Sequence, residues 1–585
     1  MKVLLAAINA KYIHSNLAVF SLKKYAKKYE ANIVLGEYTI NQYCDDILRD
    51  IYKQKPDVLI FSCYIWNIDM VKTIAKEMKK LCPDLPVWVG GPEVSYEVTA
   101  FLQQNSYIDG VMVGEGEATF LELMEYYIDN LGALEWIDGI VYRKHTGEIC
   151  VNSPRMPMEL SEIPFPYEDL HALEHKILYY ETSRGCPFSC SYCLSSIEKG
   201  VRFRAMELVE RELQFFLDHK VPQVKFIDRT FNCNTQHAMA IWRYLLEHDN
   251  GVTNFHFEIS ADILNEEELE ILGQMRVGLV QLEIGVQSTH AKTIAAIHRT
   301  MQLDKLVEAV RKVKSFGNIH QHLDLIAGLP YEDYESFRVS FNDVYAMEPD
   351  QLQLGFLKVL KGSKMYQERE MHDMIYKDYA PYEVLATKWL PFEDVLRLKR
   401  VEDMVESYYN SGQFTHSLRY LMHHAEPAFD FYQALGDFYE KREILGFQHA
   451  RIARYDILLE FVEQWKTELC EPLKEMLVYD LYLRENMKTR PAFAKDQERY
   501  KEAYYRFYKQ REQDNKEGRD NVLAGYQGYQ ARQLIRMLHL EHFTYNLEEM
   551  ERTGVAVPQE SHRLFDYQKR HSLTKEATVV SCEIT

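Results

Sequence analysis

The sequence reads as an α/β protein in three successive parts, and three observations carry that reading. From residue 1 to about 130, short apolar runs alternate with amphipathic stretches, the pattern of an open, doubly wound parallel sheet. After an interruption the alternation resumes for six strand–helix units, which suits a partial (β/α)6 parallel barrel. Beyond about residue 370 the strand signal disappears and apolar residues recur at helical spacing, so a C-terminal all-helical domain is expected. The implied parts are 1–135, a hairpin and Pro-rich linker at 136–175, the barrel at 176–368, and the helical region at 369–585. A chain of 585 residues accommodates this division at about 150 residues per domain.

In the first part the expected strands are Lys2–Ala7, Asn32–Glu37, Asp57–Cys63, Val87–Gly90 and Gly110–Val113, with helices such as Leu17–Tyr29 and Asn67–Leu81 between them. Ligands of doubly wound sheets bind beyond the C-terminal strand ends. Those ends carry Asn9 to His14, Ser62 to Tyr64, Gly90-Gly91-Pro92-Glu93 and Gly114-Glu115-Gly116-Glu117. Glycine there lets backbone approach a ligand, although a tight turn accounts for it equally well. Ile137–Tyr142 and Glu148–Asn152 read as a hairpin, and the prolines from Pro154 to Pro166 as a linker.

The barrel strands are expected at Ile177–Thr182, Gln223–Ile227, Asn254–Ser260, Leu279–Gly285, His320–Ile326 and Gln351–Phe356. Polar residues collect at their C-terminal ends: Asp228, Arg229 and Thr230, then Glu258 and Ser260, then Glu283, Gln287 and Ser288, then Asp324. Polar groups in apolar strands need partners, and another side chain serves as well as a ligand. Taken together they favour a lined active site.

Composition narrows the function. Hydrophobic content of 46% and charged content of 27% are those of a globular protein. The net charge of −20 argues against a nucleic-acid partner. The charged, aromatic stretch Arg499–Arg519 is interrupted by Glu502, Glu512, Asp514 and Glu517, and reads as a solvated helix face. No apolar run approaches the ~20 residues needed to span a bilayer, and no signal-peptide layout opens the chain. With cysteines scattered singly outside one loop, a cytoplasmic, reducing location is expected.

That loop is Glu181–Ser195, ETSRGCPFSCSYCLS, with Cys186, Cys190 and Cys193 in C-x3-C-x2-C spacing. Three soft thiolates so close together suit iron in a cubane cluster, leaving one iron open to a small molecule. Buried structural thiols or a zinc site are the alternatives, but zinc sites bring a second Cys or His pair, which is missing here.

The triad, with Tyr192 just before its third cysteine, resembles the signature of radical S-adenosylmethionine (SAM) enzymes. The resemblance implies a six-unit partial TIM barrel and a 4Fe-4S cluster on Cys186, Cys190 and Cys193. It also implies S-adenosylmethionine on the open iron, cleaved to a 5′-deoxyadenosyl radical. By the same resemblance Tyr192, Asp228, Glu258, Glu283 and Gln287 contact S-adenosylmethionine, although Ile227-Asp228-Arg229 departs from the family's Gly-Gly-Glu. The first domain looks like the cobalamin-binding domain of one branch of that family, which implies cobalamin near His14, Ser62, Gly90, Gly91, Gly114, Glu115 and Gly116. The cobalt-ligating Asp-x-His-x-x-Gly is absent, and the first loop offers Lys11-Tyr12-Ile13-His14 instead. The C-terminal part resembles a helical extension of a bacterial subgroup, for which substrate shaping or homodimer formation is expected. The implied function is methylation of an unactivated carbon of a small or medium-sized substrate, with electrons from a flavodoxin- or ferredoxin-type donor. Radical cyclisation or rearrangement without methylation, or a corrinoid-binding protein with a non-catalytic barrel, are the alternatives.

Overall fold

The computed structural model describes all residues except 198–199, 426, 518–522, 524 and 585. Its contacts divide the chain into two units. Unit 1 comprises Met1–Asp333 and Gly355–Phe392; unit 2 comprises Tyr334–Leu354 and Glu393–Thr585.

Unit 1 opens with a seven-stranded sheet. Its strands are β1 (Val3–Asn9), β2 (Ile33–Thr39), β3 (Val58–Ser62), β4 (Val87–Gly90), β5 (Gly110–Met112), β6 (Ile140–Arg143) and β7 (Ile149–Val151). The order is β2-β1-β3-β4-β5-β6-β7, with the first five parallel and β6 and β7 antiparallel. Both faces are buried because successive side chains serve opposite cores. On β1, Leu4, Ala6 and Ile8 join Val71, Ile74 and Met78 on one side, and Val3, Leu5 and Ala7 join Phe120, Leu123 and Met124 on the other. The hairpin expected in the linker is β6–β7, and it belongs to this sheet. Ile140, Val141 and Tyr142 are buried along the edge that β5 would otherwise expose, so the first domain extends past residue 135.

The cysteine loop sits between β9 (Ser183–Gly185) and β10 (Val201–Phe203), an antiparallel pair forming a small sheet of its own. The second large sheet consists of β8 (Leu178–Tyr180), β11 (Gln223–Phe226), β12 (Asn254–Ile259), β13 (Val280–Gln287), β14 (His320–Ala327) and β15 (Gln351–Phe356), in that order. The pairs from β8–β11 through β13–β14 are parallel. Strand order following chain order, with β8 and β15 left as edges, is the topology of an open barrel. Along β13, Val280, Leu282, Ile284 and Val286 are fully buried while Gln281, Glu283, Gly285 and Gln287 are half-buried. One face of the sheet is therefore apolar core and the other a polar lumen.

Further differences from the sequence reading concern the C-terminal third. Residues 369–392 include the short pair β16 (Ile375–Tyr376) and β17 (Val384–Ala386), and Met374 and Val384 pack with Ile297, Leu329, Leu357 and Met365, so this segment is part of unit 1. Unit 2 is largely helical, with helices such as Ala428–Lys441, Arg451–Trp465 and Cys470–Arg484, but it is not all-helical. It contains an antiparallel sheet of β18 (Leu538–Tyr545), β19 (Pro558–Arg570) and β20 (Ala577–Cys582). Its last strand, β20, lies within four residues of the end of the sequence. The stretch expected as a solvated face is the helix Lys501–Lys516, which buries Phe507 and Tyr508; Arg519 lies outside the described residues. Among the described residues, no helix is long and apolar enough to cross a membrane.

Candidate active site around the cysteine loop

The cysteine loop is positioned by backbone demands on both sides. Gly185 has φ +100°, and a Cβ on it would collide with the Gly200 carbonyl oxygen, so the β9–β10 stem closes only with glycine there. Within the loop, the Ser196 hydroxyl donates to the carbonyls of Cys190 (2.9 Å) and Cys193 (2.7 Å). The Ser191 N–H donates to Ile297 O (2.9 Å), and Ser191 O accepts from the Met365 N–H (2.7 Å). Cys186 and Cys190 are buried, Cys193 is half-buried, and none is in a disulfide.

Asp228 anchors the loop's entry. Its carboxylate is fully buried and accepts from Thr182 N (3.1 Å), Thr182 Oγ1 (2.6 Å) and Ser183 Oγ (2.7 Å). The resemblance placed Asp228 on S-adenosylmethionine; the structure turns it toward the chain instead, as a buckle between β11 and the start of the cysteine loop. Thr230, two residues on, lies with Oγ1 3.7 Å from the Cys186 sulfur.

Arg299 borders the triad from the far side. Its Nη1 is 4.0 Å from the Cys190 sulfur and 3.4 Å from the Tyr192 hydroxyl, and Nη2 donates to Gly285 O. Burial pushes the Cys190 thiol up, and the Arg299 guanidinium opposes it. Arg299 Nε and Gln287 Oε1 are both buried and have no hydrogen-bond partner in the protein. Gln287 also holds a φ of +72°, an uncommon backbone state for a side-chain-bearing residue. Orphaned polar atoms of this kind beside the loop are what a ligand with polar groups satisfies.

The lumen next to it is densely charged. Cross-strand register sets Lys225 beside His256, Glu258 beside Glu283, Glu283 beside His322, and Gly285 beside Asp324. Lys225 Nζ is 2.8 Å from Glu283 and 3.8 Å from Glu258. His256 Nε2 is 3.0 Å from Glu283, and His322 Nε2 is 3.1 Å from Asp324. Burial would raise the Glu283 carboxyl, but His256 and Lys225 outweigh it and hold it at about 2. Burial, with Glu283 adding to it, pushes Glu258 up to about 7. Glu283, His322 and Asp324 bring ligand atoms within 4.8 Å of one another, yet the Lys225 ammonium already serves as the cation of that group.

At the C-terminal ends of the first sheet the expected residues divide. Gly114 has φ +80° and nothing within 4 Å of where a Cβ would point, so it faces open space. Gly91 must be glycine for a different reason, since a Cβ there would strike the Cys63 carbonyl. Gly90 O accepts from Cys63 N (2.7 Å), and Ser62 Oγ accepts from Asn16 Nδ2 (3.3 Å). Gly116 packs near Leu22 and precedes the helix Glu117–Asp129. The Glu115 carboxylate does not face this open space: it pairs with Arg202 and accepts from Met158 N (3.0 Å). His14 Nδ1 lies 2.7 Å from the Tyr179 hydroxyl on β8, and the flanking backbone bridges to Ile177. Through that nitrogen the first loop of the sheet is tied to the barrel. Beyond β3, Tyr64 and Trp66 stack at 4.4 Å, with Trp66 43% exposed.

Sequence reasoning missed Arg299, Lys225, His256, His322 and Tyr179. For the lumen residues the signal was available: they fall in phase with Glu258 and Glu283 on alternate strand positions. The donor set suits the implied groups: three thiols on one short loop for an iron–sulfur cluster, the orphaned Gln287 and Arg299 atoms for a polar ligand beside it, and the open cone at Gly114 for a ligand over the first sheet.

Comparison with known proteins finds three family matches along the chain. Residues 3–124 match the family model described as B12 binding domain, residues 180–344 the Radical SAM superfamily, and residues 370–565 a family described as Protein of unknown function (DUF4080). The chain is 25% identical over 370 residues to the uncharacterized methyltransferase PH0819 of Pyrococcus horikoshii, covering 61% of this chain and 79% of that protein. It is 28% identical over 303 residues to the cobalamin-dependent radical SAM methyltransferase TokK of Streptomyces tokunonensis, covering 48% of this chain and 44% of TokK, under half its length. The fold resembles that of the cobalamin-dependent S-adenosylmethionine radical enzyme OxsB, with TM-score 0.58, 16% identity, and 82% and 83% of the two chains covered. The chain thus carries a segment that matches the B12 binding domain ahead of one that matches the Radical SAM superfamily.

Proposed function

We propose that the chain is a cobalamin-dependent radical S-adenosylmethionine methyltransferase acting on an unactivated carbon of a small or medium-sized substrate. The observation that carries the reading is the juxtaposition of the buckled cysteine loop with orphaned polar atoms of Gln287 and Arg299 at the mouth of a polar lumen. Methyltransferases among the relatives, PH0819 and TokK, support the reaction class. The bound groups supply the chemistry: reductive cleavage of S-adenosylmethionine to a 5′-deoxyadenosyl radical, and a methyl group carried by the corrinoid.

The chain's residues bind and orient. Cys186, Cys190 and Cys193 hold the cluster, and Asp228 fixes the loop from which they project. Tyr192, Glu258, Glu283 and Gln287 line the S-adenosylmethionine side. Ser62, Gly90, Gly91, Gly114 and Gly116 form the floor for a corrinoid bound without a protein histidine, a reading supported by the missing Asp-x-His-x-x-Gly motif. Electrons come from a flavodoxin- or ferredoxin-type donor, in the reducing cytoplasm that ten unpaired cysteines favour.

The test is anaerobic reconstitution with iron and sulfide, then reductant and methyl-labelled S-adenosylmethionine. The expected results are a brown protein, 5′-deoxyadenosine, and label transferred from hydroxocobalamin-loaded protein to a compound in a metabolite extract. Cys190→Ala is expected to abolish the nucleoside. Absence of 5′-deoxyadenosine from intact cluster-loaded protein refutes the radical reading; nucleoside without label transfer selects cyclisation or rearrangement instead.

A further inference from the structure

We propose that the Gly114-Glu115-Gly116-Glu117 turn and the paired arginines Arg184 and Arg202 form a latch that couples corrinoid binding on the first sheet to cluster binding in the cysteine loop. The inference rests on the cofactor reading above.

The stem of the cysteine loop, β9–β10, pairs in neither large sheet and is joined to β8 only through Glu181 and Thr182, so side-chain anchors fix what that short link leaves free. Arg184 and Arg202 are direct cross-strand partners, which puts both guanidiniums on one face of the stem. Arg184 Nη2 is 2.6 Å from Glu117, its Nη1 is 3.5 Å from Glu115, and its Nε is 2.9 Å from Glu181. Arg202 pairs with Glu115 and donates to Met158 O. Glu117 also accepts from Ser21 Oγ at 3.2 Å, which ties it to the helix Leu17–Tyr25 of the first domain. The side chains are 6% to 24% exposed. Burial would raise the Glu115 carboxyl, but Arg202, the Met158 N–H and Arg184 outweigh it and hold it below its usual range.

Ion pairs this sheltered are sensitive to geometry, because a displaced partner leaves a desolvated charge uncompensated. The two carboxylates alternate with Gly114 and Gly116 at the end of β5, and Gly114 opens onto the ligand side of the sheet. A molecule seated against that turn sets where Glu115 and Glu117 stand, and therefore where Arg184 and Arg202 stand. Cys186 follows β9 directly, so its position moves with the stem. On the opposite side Asp228 holds Thr182 and Ser183, so the stem is gripped by both domains at once. Glu115 and Glu117 are on this view positioning residues for the cluster, not corrinoid contacts.

The test uses the full chain, with hydroxocobalamin as the corrinoid probe titrated into cluster-loaded and chelator-stripped protein. Wild type is expected to show Kd values differing at least about fivefold between the two forms, and by reciprocity the same factor in cluster retention with and without the probe. A Glu115→Gln, Glu117→Gln double variant is expected to bring the two Kd values together, and the charge exchange Glu115→Arg with Arg202→Glu to separate them again. In cofactor-free protein the double variant should exchange the amides of β9 and β10 about tenfold faster, while those of β1 and β3 are unchanged, which separates a released latch from a misfolded domain. Equal Kd values in wild type, or a ratio that survives the double variant, overturns the latch. If wild type takes up neither iron nor hydroxocobalamin, the cofactor reading fails and the latch with it.

Discussion

Glu258 offers a quantitative test of the lumen's electrostatics. Its carboxyl is lifted to about 7 by burial and by Glu283, with Lys225 and Arg229 opposing. In the unfolded chain it titrates near 4.5. Below pH 4.5 the group is neutral in both states and costs nothing. Between 4.5 and 7 the unfolded state gains the charge first, so wild-type stability falls, and above 7 the penalty is constant. A shift of this size is worth about 3 kcal/mol at 1.36 kcal/mol per pH unit. The side chain is 31% exposed, and solvent screening reduces the figure to about 1–2 kcal/mol. Glu258→Gln keeps the shape and removes the titration, so it should stabilise strands β12 and β13 by that amount at pH 8.5 relative to its effect at pH 4.5. Native-state hydrogen exchange on those strands measures it without requiring the whole chain to unfold in one step. An effect equal at both pH values, or a loss of stability confined to pH 8.5, refutes the assignment of Glu258 as a carboxylate ionised against its surroundings.

Gly185→Ala places a Cβ against the Gly200 carbonyl at φ +100°, a backbone state costing about 1–3 kcal/mol for a side-chain-bearing residue before any collision. Iron content after reconstitution should fall well below wild type, and full iron content would contradict the need for glycine in the stem. Asp228→Ala leaves one N–H and two hydroxyls without their acceptor, about 1–3 kcal/mol each if they stay buried, so cluster retention should fall. Calorimetric S-adenosylmethionine affinity of the fraction that keeps its cluster should match wild type; a large affinity loss in that fraction would restore Asp228 to the ligand. In unit 2, Arg490→Ala strands the Glu541 carboxylate, whose side chain is 1% exposed, and should destabilise the β18–β20 sheet by about 3–5 kcal/mol. Unchanged hydrogen exchange in β18 would show that His539 and Gln497 suffice to hold it.

Much of unit 1 was legible because the unbroken buried run of β1, the period-two burial of β13 and the helical spacing in 68–81 are properties of short windows. Cys186, Cys190 and Cys193 were legible for the same reason, since their chemistry resides in their spacing. Contacts that join distant positions were not. The partners of Asp228 are 45 and 46 residues away, and Arg299 reaches Cys190 across 109. Glu115 looked like a ligand contact because it stands among glycines at a strand end; its arginine lies 87 residues downstream. The C-terminal sheet escaped because its strands bury too few apolar residues. On β19 the buried run is only Leu564, Phe565 and Asp566, and on β18 Glu541 is buried through Arg490. A strand whose inward positions are charged carries no apolar alternation to detect.

The latch carboxylates also have a place in time. Glu115 and Glu117 belong to a sheet whose last strand ends at Val151, so all of it is synthesised before Arg184 and Arg202 and leaves the ribosome ahead of them. At about 5–20 residues per second, roughly 4–17 s separate the two halves of the latch. The acidic half can therefore be folded and waiting when the cysteines emerge, and a nascent loop drawn onto it spends less time as three loose thiols.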